Sequence, residues 1–262
     1  MSVRPAAVAG LFYPDDPKVL GRMVDGFLNA VPSSAVVPKI LIEPHAGYVY
    51  SGQCAAFGYA QLRGSGYGRV LLIGPSHRVG FEGAAFSNAQ AWQTPLGRIT
   101  IDQDAIGHFL QKAPAGFAVH PQPHAQEHSL EVQLPFLQRV LGAFTLIPVT
   151  YGLCAPKLLE RLLDEFLDDR TVAVFSSDLS HYYPQEEART LDNDCHRGVL
   201  ALDAAGLGRC EACGKTGIEA AIGYALRHQL TSKVLDYRTS GDVTGDDSQV
   251  VGYACYGFYK EP

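Results

Sequence analysis

Residues 40–52, "ILIEPHAGYVYSG", decide how this chain is read. Ile40, Leu41 and Ile42 make an apolar run of strand length. Pro44 then bends the backbone, His45 follows at once, and glycines stand at 47 and 52. A buried strand that ends in a tight turn presenting an imidazole is the arrangement of α/β folds, whose ligands collect beyond the carboxyl ends of strands. His45 is therefore the first candidate for a residue that holds something.

Working outward, apolar runs at residues 69–73, 144–149 and 171–175 also end at clusters of Gly, Pro, Ser or His. Helical spacing occupies the intervals near 54–62, 105–112, 130–141 and 157–167, then 186–202 and 216–229, and alternation near 232–238 and 249–259 predicts two late strands. Strand–helix alternation without repeats or linkers predicts one α/β domain over residues 1–262. The 262 residues are 47% hydrophobic, enough for a sizeable core. A net charge of −6 with no Lys/Arg run argues against nucleic acid or an anionic membrane as partner. No apolar run approaches the length of a membrane span and the N-terminus lacks a signal-peptide layout, so a cytoplasmic protein is expected. Six scattered cysteines are expected to be free thiols, and the lone Cys210-x-x-Cys213 lacks the second pair of a zinc knuckle.

The strand-end rule applied to each run nominates Glu43 and His45, then His77 in "GPSHR", then Asp178 and His181 in "SSDLSH". A metal needs imidazoles that converge from separate elements, and these histidines meet that requirement. His128, in "QEHSLEVQLPFL", reads equally as a site residue and as part of a helix start in which Ser129 caps and Glu131 favours the dipole. The other five histidines, at 108, 120, 124, 196 and 228, read as surface or packing residues. The loop "RTSGDVTGDDS" carries Asp242, Asp246 and Asp247 and reads either as an acidic turn or as the source of a carboxylate ligand. No phosphate-binding glycine motif, G-x-S-x-G or H-E-x-x-H is present.

In order along the chain, "VRPAAVAGLFYP", "PHAGYVYSG", "GPSH", "TPLG", "EHSLEVQLPFL", "FSSDLSHY" and "YRTSGDVTGDDSQVVGYA" resemble the Memo family, system protein B of the AmmeMemoRadiSam gene neighbourhood. The resemblance implies a central mixed sheet flanked by helices, similar to class III extradiol dioxygenases, with His45 and His77 as metal ligands and His128, Asp178 and His181 as polar groups of the same pocket. In animal Memo proteins a cysteine of the late loop completes the metal site. Here residues 237–253 contain none; Val243 stands in its place with Asp242 beside it. Either a ligand is lost, or Asp242 supplies an oxygen and makes a two-histidine, one-carboxylate set suited to iron(II).

The expectation is a non-haem iron oxidoreductase acting on a small metal-chelating substrate, with His181, oriented by Asp178 or aided by His128, moving the proton. The alternatives are a non-catalytic protein that binds a ligand or peptide end in the same pocket, and an accessory to a radical SAM enzyme and an AMMECR-type partner.

Overall fold

The apolar runs are strands, and the chain builds one large mixed sheet around them. The computed structural model describes residues 2–32 and 36–260. Val3–Arg4 forms β1, and Pro17–Asn29 forms α1, a helix the sequence reading missed. Asp16 caps α1 by accepting from the Lys18 and Val19 N–H groups, Pro17 starts it, and Leu20, Val24 and Leu28 bury one stripe. β2 (Ile40–Glu43) leads through the His45 turn into α2 (Tyr48–Tyr59), which starts well before the expected residue 54. Next come β3 (Arg69–Pro75), β4 (Ala84–Phe86), β5 (Ala91–Thr94), β6 (Gly97–Ile101) and α3 (Gln103–Lys112).

β7 (Phe117–Val119) and the short α4 (Gln122–Ala125) precede α5 (Leu134–Leu141) and β8 (Thr145–Tyr151). After α6 (Pro156–Phe166), β9 (Thr171–Ser176) and β10 (His181–Tyr183) follow closely. The chain ends with α7 (Gln185–Leu200), α8 (Lys215–Arg227), and β11 (Leu230–Thr239) joined through α9 (Gly241–Thr244) to β12 (Val250–Lys260).

At the centre β8, β3, β9 and β2 run parallel in that order, so their carboxyl ends share one rim. Every residue of β2 and β9 is buried, as expected of parallel strands covered on both faces. β12 adds antiparallel to β2 and pairs with β11 in a long hairpin, which makes the sheet mixed. β2 and β3 are not adjacent, although their turns carry the two leading histidines; β9 lies between them. α2 sits hard against the sheet. A Cβ on its Gly58 would overlap the Glu43 carboxylate and come within 2.5 Å of Cys255 Sγ. Glu43 itself, although at a strand end, is fully buried away from the histidines and accepts from the Cys255 thiol at 3.3 Å.

The expectation of six free thiols is corrected. Cys195 on α7 and Cys210, in the loop before α8, form a disulfide, and both are buried. Spacing in sequence gave no sign that helix packing brings these two Cα atoms to 4.9 Å. Among the described residues no helix is long and apolar enough to cross a membrane.

Candidate metal centre

Three imidazoles meet at the rim. His45 follows β2, His77 follows β3, and His128 stands in the loop after α4. One ring nitrogen from each lies within 4.8 Å of the others. Ring centroids are 5.0 Å apart for His45 and His77, 5.3 Å for His45 and His128, and 4.7 Å for His77 and His128. His45 is buried, His128 partly so, and the His77 side chain is 29% exposed, which leaves the cluster open to solvent on that side.

The His45 turn is fastened by its neighbours. Its N–H donates to Asp178 Oδ1 at 2.7 Å, the Pro44 carbonyl accepts from Gln133 Nε2 at 3.0 Å, and Tyr48 N–H at the start of α2 donates to the Phe12 carbonyl at 2.8 Å. Its Nδ1 lies 2.7 Å from Ser176 Oγ. Since the Ser176 hydroxyl donates to the Ser129 carbonyl at 2.6 Å, it must accept from Nδ1–H, which leaves the His45 Nε2 lone pair facing the Cys213 thiol at 3.3 Å. Burial and the nearby His77 and His128 hold the His45 pKa well below the usual imidazole value. A neutral imidazole whose lone pair meets a weak thiol donor could still ligate a metal ion.

Glu127, which the sequence reading passed over, organises the other two. It is fully buried. It accepts from His77 N–H at 2.6 Å, His77 Nδ1 at 2.9 Å, and the His128 and Ser129 N–H groups at 3.0 Å each. Burial acts to raise its pKa, but the His128 and His77 side chains and the Ser129 and His77 N–H groups outweigh it and bring the carboxyl well below the usual range. An ionised Glu127 fixes the proton on His77 Nδ1 and frees Nε2, the carboxylate–histidine pairing found behind metal ligands. His128 Nδ1 is 3.2 Å from the same oxygen, and its ring lies 4.7 Å from Phe12. The sole trace of Glu127 in the sequence is its place beside His128.

The helix-start reading of residues 128–131 holds in part: a 3₁₀ turn at Glu131–Gln133 leads directly into α5, but the Ser129 cap is corrected. Ser129 Oγ donates to the Pro75 carbonyl and caps nothing. Glu131 is fully buried, accepting from Arg4 Nη1 at 2.6 Å, Tyr13 OH at 2.6 Å and the Ala7 and Val8 N–H groups.

Asp178 and His181 flank the cluster. Asp178 is buried, with Oδ2 3.8 Å from His45 Nε2, and burial raises its pKa to about 7 against the hydrogen bond from His45 N–H. His181 opens β10, partly buried, and burial followed by the proximity of His77 lowers its pKa. Cys213 completes the surroundings, with Sγ 3.3 Å from His45 Nε2 and 3.3 Å from Asp178 N; burial pushes its thiol up to about 12. The Cys210-x-x-Cys213 pair is thus divided, one sulfur in a disulfide and the other facing the histidines.

Asp242 is not brought to the three imidazoles. It lies in α9, where Oδ1 pairs with Arg189 Nη2 at 2.7 Å and Oδ2 accepts from Thr239 N–H at 2.8 Å. An ion pair with α7 and a turn hydrogen bond occupy its two oxygens, and the third imidazole of the cluster is His128. The remaining histidines pack as expected: His124 is buried and bonded to the Ala85 carbonyl, His196 meets Tyr256 OH, and His228 stacks on Tyr224 at 4.0 Å.

Fold and site together define an α/β protein with a three-histidine cluster at the rim of its parallel strands that could hold a metal ion. The chain belongs to the Memo family: the family model for Memo-like proteins matches residues 4–256. It is 36% identical over 282 residues to a MEMO1 family protein of Methanopyrus kandleri, covering 98% of this chain and 99% of that one. A MEMO1 family protein of Methanobrevibacter smithii is 36% identical over 98% of this chain and all of its own length, and one of Aquifex aeolicus is 35% identical over 97% and 98%.

Proposed function

We propose that this Memo-family chain is a non-haem metal-dependent oxidoreductase, related in fold to the class III extradiol dioxygenases, acting on a small metal-chelating substrate. The observation that carries this reading is the convergence of His45, His77 and His128, two of them with the proton fixed on the far nitrogen by Ser176 and Glu127. Three imidazoles suit zinc, copper and iron alike, and iron(II) is the ion the oxidoreductase reading requires. Such an ion would supply Lewis acidity and one-electron chemistry with dioxygen.

The chain's own residues do the rest. His181, kept neutral near pH 7 by burial, is poised to accept the proton of a substrate hydroxyl. Asp178 holds the His45 turn in place through its backbone N–H. The exposed side of His77 leaves an entrance for substrate, while Phe12 closes the side next to His128.

Anaerobic purification, metal analysis and oxygen uptake with a panel of catechols test the proposal. Stoichiometric iron and substrate-dependent oxygen uptake are expected, both lost in His77→Ala. A parent protein that takes up no divalent metal refutes the metal centre. One that binds metal yet consumes no oxygen with any catechol refutes the oxidoreductase reading and leaves a metal-containing binding protein.

A further inference from the structure

We propose that Asp192, a buried carboxylate on α7, is the positioning residue of His181. The inference rests on the reading of His181 as the proton acceptor of the site, and it begins with the backbone that carries that residue. His181 pairs with Val251 and Tyr183 with Val250, so the register shifts between them and Tyr182 is left over. Tyr182 has φ +64° and is 71% exposed. A bulky residue seldom adopts this left-handed conformation, and bulges of this kind re-aim side chains next to active sites. Such a backbone persists only where its surroundings over-determine it.

Asp192 and β12 do that here. Ser180 N–H donates to Asp192 Oδ1 at 2.9 Å, and the Ser180 carbonyl accepts from Gly252 N–H at 2.9 Å. Leu179 N–H donates to the Gly252 carbonyl at 2.8 Å. The two residues before His181 are therefore tied on both sides. Asp192 has no room to drift: it is fully buried, its Oδ2 accepts from Tyr237 OH at 2.7 Å, and a Cβ on Gly252 would overlap its carboxylate.

The donors that bond this carboxylate, Ser180 N–H and Tyr237 OH, are both neutral. Burial raises the pKa of this carboxyl, and an asparagine would avoid the buried charge: its one oxygen could accept from Ser180 N–H while the Tyr237 hydroxyl turns to accept from its amide N–H. What the carboxylate alone adds is a negative charge acting on His181, which also feels His77 and Glu211. Position and charge thus reach the imidazole from one side chain.

The test is read in the metal-free full-length protein by NMR titration of the His181 ring, assigned with His181→Ala. It needs no substrate, so a failure to find turnover would count against the proposed function without touching this inference. In Asp192→Asn, which keeps the shape and removes the charge, the His181 midpoint is expected to move to lower pH while His108 and His228 stay where they were. An unmoved His181 midpoint in the folded variant overturns the proposal. Should that variant fail to fold, the carboxyl carbon of Asp192 in the unsubstituted protein gives the answer. It is expected to respond at the His181 midpoint, as coupled groups do, and a carboxyl carbon that shows only its own titration overturns the coupling.

Discussion

Glu127 shows how much a single carboxylate can decide at the residue scale. Glu127→Gln puts an amide where His77 Nδ1–H and three backbone N–H groups need acceptors, and about 10–100-fold weaker zinc binding is expected in a competition titration. Asp242→Asn is the contrasting change. Its partner Arg189 is 42% exposed, the pair is worth at most about 1 kcal/mol, and metal affinity should stay at the parental level. His181→Ala should retain metal and lose about 10²–10⁴-fold in turnover, with metal content and rate measured on one sample. His45 and His77 were legible because each follows an apolar run at a bend. Glu127 was not, since burial of a carboxylate leaves no periodic mark, and Asp242 stayed open between two readings because a turn acid and a ligand acid look alike in one dimension.

At the scale of elements, α2 is held by what its residues lack. Small residues let it approach β2 and β12 closely, and Gly58→Ala would drive a methyl into Glu43 and Cys255. Overpacking of this kind costs about 1–3 kcal/mol or more, seen as a lower urea midpoint with an unchanged m-value. The α2 start was invisible in the sequence for the same reason: Gly47 offers no capping side chain, and burial of Tyr48, Ser51, Cys54 and Ala55 leaves no clear polar face. The central strands were legible as apolar runs, but β4 and β7 are three residues each and too short to show a period. His124 links its element to pH. Burial depresses its pKa to about 3, so the unfolded chain binds the extra proton between about pH 6.5 and 3. Its contribution is complete above the unfolded value and is lost as pH falls toward 3, on the order of a few kcal/mol. His124→Gln should flatten that part of the stability profile, as measured by urea unfolding at stepped pH.

For the whole molecule, the N-terminal segment joins the far edge of the sheet to the metal centre. β1 pairs with β5 at that edge, and Arg4 then turns inward to stack on Trp92 at 4.3 Å and to reach Glu131, the Glu127 carbonyl and the His124 carbonyl. Residues 7, 8 and 13 close round the same Glu131, and Phe12 packs on His128. None of this could be read from "VRPAAVAGLFYP" itself, because its partners, Trp92 and residues 124–131, lie far along the chain and the pairing follows no period. Arg4→Met leaves Glu131 buried without its cation, a change expected to cost about 3–5 kcal/mol. Adding Glu131→Gln should not restore the parent's stability, since the Ala7 and Val8 N–H groups would then meet an amide with fewer lone pairs to offer. Because Arg4 also braces the Glu127 backbone and the segment carries Phe12, zinc affinity should fall in Arg4→Met even under conditions where the variant is fully folded. Zinc binding at the parental level in that folded variant would show that the segment braces the fold alone and leaves the histidines to be held by Glu127 and Ser176.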